Sequence, residues 1–308
     1  MPHGNVLKSP FVYLTIVPFI WSTNYVMGKV IVKDIPPMTI TAIRFTIAAI
    51  LLAVLLKYQE KGFPKPEKKH YFPLLLMGIS GVLGFNSLLY AGLRYTTSTN
   101  GAIISGFYPA LTAILSVVFI REDFNFYKVA GLIFSLAGVL LITVHASWRE
   151  MIAFHFNPGD LLVFLATASW AVYSVAGKFV MGSLSPLCVT TYSCLLGLIF
   201  LYPGMIMELR RGAGVALSWP SVLILLYIGI AASVVAHFLW NRGVQEIGPA
   251  KTSYFYNLLP LFTAVLANIF LNEHIYWYHL AGGAAVIFGV YLGTCSASSG
   301  EPSKLCKI

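Results

Sequence analysis

The chain contains two copies of one segment, and that duplication limits what it can fold into. Sliding Thr97–Thr143 by 151 positions lays it on Gly248–Thr294 without a gap. Pro109 then meets Pro260, Thr112 meets Thr263, Glu122 meets Glu273, Gly131 meets Gly282 and Gly138 meets Gly289. Each copy is an apolar run with a mid-run proline, a short turn carrying Glu, and a second apolar run spaced by glycine. The likeness reaches further back. Trp21, Gly28 and Lys29 match Trp170, Gly177 and Lys178 at an offset of 149, and Pro37 and Pro186 keep that offset. A repeat of this length fixes the architecture before any single residue is weighed.

Composition identifies the solvent. Of 308 residues, 58% are hydrophobic and only 10% charged, where a soluble domain carries about 25% charge. Polar residues gather in short clusters between apolar runs of about 20 residues, the length one membrane-spanning helix needs. The spans run over roughly 11–32, 37–56, 71–93, 98–119, 126–144, 159–181, 186–207, 219–243, 250–271 and 277–294. The fold class expected is therefore an all-α membrane protein of ten transmembrane helices, in two five-helix repeats at 11–144 and 159–294. Five is odd, so the second half enters the membrane the opposite way up. Such inverted repeats are a common plan of secondary transporters. The first run continues past Trp21 into further apolar sequence and carries no small-x-small site, so it reads as a helix and not as a cleaved signal.

With the N-terminus inside, thirteen Lys and Arg fall on the inner side and five on the outer, led by the cluster from Lys57 to Lys69. The positive-inside rule then places both tails, 1–10 and 295–308, in the cytoplasm. The net charge of +9 does not signal nucleic acid, because the basic residues are dispersed and form no face to track phosphates. Cys188, Cys194, Cys295 and Cys306 show no paired spacing and read as free thiols, with no disulfide or metal site.

On these residues the chain resembles the drug/metabolite transporter superfamily, with two EamA-type halves. The segment NGAIISGFYPALTAILSVVFIREDFNFYKVAGLIFSLAGVLL, its copy at 251–292, the two Trp-x6-Gly-Lys starts, and Arg44 after Pro37 carry the likeness. It implies ten helices around a central cavity lined by the first, third, fourth, sixth, eighth and ninth. It also implies alternating access for a small metabolite, often outward. Four-helix multidrug members and nucleotide-sugar carriers of the superfamily fit less well.

Pro109 and Pro260 lie mid-span, where proline removes one hydrogen bond and clashes with the carbonyl four residues back, here Ser105 and Tyr256. In lipid a freed carbonyl is tolerated only against protein or a wet cavity. The pair reads as hinges beside a site, or as packing kinks. The candidate substrate-binding set is Trp21, Asn24, Asn86, Tyr90, Tyr108, Trp170, Tyr173, His237, Trp240, Asn241, Tyr254 and Asn257. Buried amides, imidazole and aromatic walls suit a substrate with an apolar or cationic part. The competing reading is helix–helix glue or interfacial aromatics. His237 is either a proton-coupling group or a neutral imidazole bonded to a neighbouring helix. The second is favoured, since no Asp or Glu lies deep in any span. Arg44, seven residues into the second span, is a gate or anion attractor, or a structural arginine bonded to carbonyls of an adjacent helix. Lys29 and Lys178 near span ends are expected to snorkel. Glu122 and Glu273 are expected to interact with the dipoles of the helices they precede.

The function expected is a secondary transporter moving an amino acid or similar small organic solute across the cytoplasmic membrane, outward. The alternative is a passive channel or facilitator. No HExxH, GxSxG or intramembrane carboxylate pair is present, so the chain does not read as an enzyme. No cofactor is implied. The expected partners are a small-molecule substrate and the lipid bilayer, with no nucleic acid, and the chain is expected to act as a monomer.

Overall fold

The computed structural model describes residues 10–120, 126–143, 157–212, 214–248, 252–253 and 255–295. Among the described residues every regular element is helical and none is a strand. In chain order the helices are α1 (Pro10–Ile31), α2 (Pro37–Gln59), α3 (Lys68–Leu93), α4 (Ser98–Phe119), α5 (Phe126–Thr143), α6 (Pro158–Lys178), α7 (Pro186–Arg210), α8 (Trp219–Ile247), α9 (Leu258–Leu271) and α10 (Trp277–Cys295). Helices α2, α3, α4, α6, α7 and α8 are long and apolar enough to cross a membrane. Apolar runs within α5 and α9 are shorter.

Local sequence explains the starts. Pro37, Pro158, Pro186 and Pro220 stand in first turns, where a missing N–H costs nothing. The side chains of Asn157, Ser185 and Ser218 accept from Gly159, Cys188 and Ser221 backbone N–H at 2.8, 3.0 and 3.3 Å, and each satisfies an orphan donor. The start of α2 has no such side-chain cap of its own. Glu208, near the end of α7, supplies it by accepting from Met38 and Thr39 N–H at 3.1 and 2.9 Å. At α4 Glu273 adds to the cap made by Thr97, which accepts from Asn100 N–H at 3.1 Å; Glu273 accepts from Ser98 and Thr99 N–H at 2.8 and 2.9 Å. The carboxylate expected to serve the helix it precedes thus caps a different one. Glu122 lies outside the described residues.

The halves are related by an inversion that can be read from helix pairings. α5 packs along α10, its own repeat partner. A Cβ at Gly138 would fall 2.5 Å from the carbonyl oxygen of Gly282, and one at Gly289 would collide with that of Gly131. Low numbers meet high, so the helices run antiparallel, and each glycine lets the other's backbone approach. α2 and α7 likewise pack antiparallel, with Met38 beside Glu208 at one end and Glu60 hydrogen-bonded to Ser185 at the other. The cross-half pairings are reciprocal: α1 packs against α8 and α9, and α6 against α3 and α4. This is the contact pattern of a two-fold axis that turns one half upside down.

Two irregularities recur at matching places. Gly78–Phe85 within α3 and Ile228–Ala236 within α8 are π-helical. α4 is interrupted at Gly106–Phe107, and a turn at Tyr256–Asn257 precedes α9. Pro109 and Pro260 therefore sit in the first turn after a break and not in an unbroken kinked helix. The break falls before each proline because proline is cheap there and costly further in.

Candidate functional site

The breaks and the π segments converge on one buried aromatic cluster. The Trp21 ring lies 5.4 Å from Trp170, 5.7 Å from His237, 5.1 Å from Trp240 and 5.7 Å from Tyr256, centroid to centroid. Tyr173 stacks on Trp170 at 4.5 Å, and Tyr108 lies 4.8 Å from Tyr256 and 6.0 Å from Trp240. Phe85 and Phe45 close the sides, against Trp170 at 5.2 Å and His237 at 5.8 Å. The rings come from α1, α2, α3, α4, α6 and α8 and from the turn before α9. They touch one another, so the centre is packed with rings where the resemblance implied a cavity.

The polar atoms of the cluster divide into satisfied and unsatisfied. Ala232, inside the π segment of α8, offers its carbonyl to Trp21 Nε1 at 3.3 Å and to His237 Nδ1 at 2.8 Å. A carbonyl only accepts, so Nδ1 carries the proton and Nε2 is left as an acceptor. His237 Nε2, Trp170 Nε1, Trp240 Nε1 and Asn257 Oδ1 are buried and have no hydrogen-bond partner among the described residues. Each such group costs about 1–3 kcal/mol relative to a paired one. Two indole donors and an imidazole acceptor sit among rings already in mutual contact.

Asn86, the repeat partner of His237, does the same local work. Its Nδ2 donates to Gly81 O at 2.8 Å, five residues back, as His237 bonds Ala232 five residues back. A π turn leaves carbonyls that an i−4 N–H no longer reaches, and these side chains take them. His237 thus bonds its own helix and not the neighbouring one expected, and the Asn86 amide is committed to backbone.

Two further polar groups flank the rings. In the first half, Tyr90 donates to Asn24 Oδ1 at 2.7 Å, and Arg44 donates to Asn24 Oδ1 at 3.1 Å, to the Tyr90 hydroxyl, and through Nε to Ser233 Oγ at 2.8 Å. The partners are side chains and not the carbonyls expected of a structural arginine. In the second half, Asn241 donates to the Tyr173 hydroxyl and to Thr190 Oγ1, both at 2.8 Å. The Asn24–Tyr90 pair and the Tyr173–Asn241 pair are repeat equivalents with the residue types exchanged. Tyr254 lies outside the described residues. The expectation that Lys29 snorkels is corrected: its ammonium donates to Leu93 O and Thr96 O at 2.7 and 2.6 Å, tying α1 to the end of α3.

Sequence reasoning missed Tyr256, Phe45, Phe85 and the Tyr25–Ser105 hydrogen bond of 2.6 Å beside the break in α4. Tyr256 stands in the turn before α9, where helical spacing does not apply. The usable signal was its repeat partner, Ser105, one residue before the other break.

Comparison with known proteins follows this geometry. A family model described as the EamA-like transporter family matches residues 9–144 and 157–294, both halves in turn. The chain belongs to the EamA-like transporter family. This EamA-like chain is 32% identical over 271 residues to the uncharacterized transporter YyaM of Bacillus subtilis (strain 168), covering 86% of each protein. An uncharacterized transporter of Archaeoglobus fulgidus is 30% identical over 91% of this chain and 96% of its own. A solved crystal structure superposes on 93% of the EamA-like chain and 97% of its own at a TM-score of 0.66 with 20% identity, which establishes a shared fold. The chain is thus a multi-pass membrane protein of a transporter family.

Proposed function

We propose that the protein is a secondary carrier of a small organic solute in the cytoplasmic membrane, working by alternating access, with both ends in the cytoplasm. One observation carries this reading: Trp170 Nε1, Trp240 Nε1 and His237 Nε2 are buried without partners at the meeting point of the two halves. Bare donors and an acceptor walled by rings are the make-up of a small-molecule site. The names of three relatives, each an uncharacterized transporter, support the transport part. The orientation rests on the excess of Lys and Arg in the inner loops.

In this reading the solute takes the hydrogen bonds of the two indoles and the imidazole, with Tyr108, Tyr173 and Tyr256 as walls. The breaks at 106–107 and 256–257 are the hinges, because part of the regular helical ladder is replaced there by turn hydrogen bonds. Bending at one break opens the centre to one face, and its mirror opens it to the other. Outward movement of an amino acid or like solute is what the family resemblance implies for direction and cargo. Mutual ring contacts in the centre favour a carrier over an open channel.

The test is a thermal-shift screen of the purified protein against metabolites, then counterflow of any hit in proteoliposomes. Trp170→Phe and Trp240→Phe each remove one polar atom and keep a ring; His237→Phe removes Nε2 together with the Nδ1 bond to Ala232 O. Each is expected to lower uptake at least tenfold, the loss of about one hydrogen bond in a dry site, with the protein still folded. Normal uptake by all three removes the site from the centre. Flux that rises linearly with solute and shows no counterflow replaces the carrier with a channel.

A further inference from the structure

Away from the central rings, α2 and α7 leave an open, mainly apolar groove of about 420 Å³ between them on the outside of the bundle. The two helices are repeat partners, so the groove maps onto itself at the offset that pairs Pro37 with Pro186. Ile50 meets Ile199, and both are about 60% exposed. Two pairs break the match. Ala53 corresponds to Tyr202, so space that a tyrosine ring takes at one end is open at the other. Lys57 corresponds to Ile206, so the open end alone carries a charge. Tyr202 closes its end by donating to Thr46 Oγ1 at 2.8 Å, since the Thr46 hydroxyl gives its own proton to Ala42 O. Thr46, Ile50, Ala53 and Lys57 follow the i, i+4, i+7, i+11 spacing of one helix face. The groove therefore runs from the Thr46–Tyr202 pair to the exposed Lys57. That path rises about 16 Å at 1.5 Å per residue, the depth of one leaflet, half of a hydrocarbon core of roughly 30 Å. Lys57 also opens a basic run, with Lys61, Lys65, Lys68 and Lys69 all exposed after it. Of the two acids in that run, Glu60 is bonded to Ser185 and Glu67 pairs with Lys69 at 3.0 Å. Among the described residues no carboxylate pairs with Lys57.

We propose that this groove binds one anionic phospholipid, with an acyl chain along Ile50 and Ala53 and the phosphate over Lys57. The proposal does not rest on the carrier reading and needs only that the chain spans a membrane. Lysines at the headgroup layer attract anionic lipids, and the apolar walls fix where one of them stands. The chain runs inward until the Thr46–Tyr202 pair stops it near the middle of α2. The other end of the groove holds no such lipid, because the Tyr202 ring fills the space and Ile206 offers no charge. In the orientation proposed above, the bound lipid belongs to the inner leaflet.

The test is native mass spectrometry of the purified full-length protein, exchanged into detergent with dioleoyl phosphatidylglycerol or dioleoyl phosphatidylcholine. One phosphatidylglycerol per protein is expected to be retained, at least about fivefold over phosphatidylcholine, the effect of one lysine at an anionic surface. Ala53→Phe fills the open end and is expected to remove the lipid. Lys57→Gln is expected to make the two lipids equal. Lys69→Gln makes the same charge change at a lysine already paired with Glu67, and is expected to leave the preference intact. Soluble glycerol 3-phosphate is expected not to compete, because a headgroup alone leaves the groove empty. If Ala53→Phe does not fold, the comparison of Lys57→Gln with Lys69→Gln decides. Equal retention of the two lipids by the native protein overturns the proposal, as does retention that folded Ala53→Phe leaves unchanged. Equal losses from Lys57→Gln and Lys69→Gln also overturn it, leaving a diffuse basic surface in place of a site. If light scattering finds a dimer that Ala53→Phe splits, the groove is an interface between copies and the lipid assignment falls.

Discussion

The two halves agree wherever the backbone needs help and disagree where a charge is placed. Asn86 and His237 differ in chemistry, yet each bonds the carbonyl five residues behind it in a π segment. Asn24–Tyr90 and Tyr173–Asn241 make one pairing with the residues exchanged. Arg44 and Ser193 occupy equivalent places: Arg44 bonds Asn24, Tyr90 and Ser233, while the uncharged Ser193 bonds Thr190 O and Tyr173, the equivalent of Asn24. A two-fold scaffold must satisfy the same backbone groups twice, so those solutions recur. It has no need of the same side chain twice, and Arg44 stands on one side only.

The largest effect that would break this comparison is Ser193→Arg. Ser193 is buried, with its carbonyl close against Gly78. A guanidinium there has no acid among the described residues and is expected to cost about 3–5 kcal/mol, as for a buried charge lacking its partner. Thermal unfolding in detergent measures it, and an unchanged midpoint would make the halves interchangeable in polarity.

Next come the two tyrosines. Tyr90→Phe removes a hydrogen bond from a charged donor, expected at about 2 kcal/mol, while Tyr173→Phe removes a neutral one, about 1 kcal/mol. Equal losses in the same unfolding assay would mean that the charge of Arg44 is not felt at Tyr90.

Smaller again, and expected to be equal, are Asn86→Ala and His237→Ala. Each removes one side-chain bond to a π-segment carbonyl, at about 1 kcal/mol beyond the space the side chain leaves, and Ala232 O keeps its bond from Trp21. The functional readout should separate them: solute binding falls with His237→Ala, which removes the unpartnered Nε2, and persists with Asn86→Ala, whose amide serves the backbone. Loss of binding in both would return Asn86 to the site.

The smallest effect is expected of Pro109→Ala and Pro260→Ala, below about 1 kcal/mol each, because neither proline interrupts a ladder bond where it stands. A matched fall in transport rate with unchanged unfolding would identify the breaks as the moving parts. A large loss of stability would mean that the prolines hold the breaks in place.

The sequence by itself determined the duplication, the membrane as solvent, the order of the helices, and most of the rings that meet in the middle; it ran the fourth and ninth spans through the places where the helix breaks. It did so because apolar length and repeat spacing are one-dimensional quantities. The inner position of Trp21, Trp170 and Trp240 follows from their place on spans that must turn polar atoms away from lipid. Tertiary structure alone decided three things. The chain breaks before Pro109 and Pro260, which brings Tyr256 into the cluster. The π segments commit Asn86 to its own backbone and give His237 a fixed proton. Glu208 and Glu273 cap helices far from them in sequence, and Arg44 is left among neutral partners. Each depends on which hydrogen-bonding group finds which partner across helices. That is a question of distance in space, and the order of residues does not contain it.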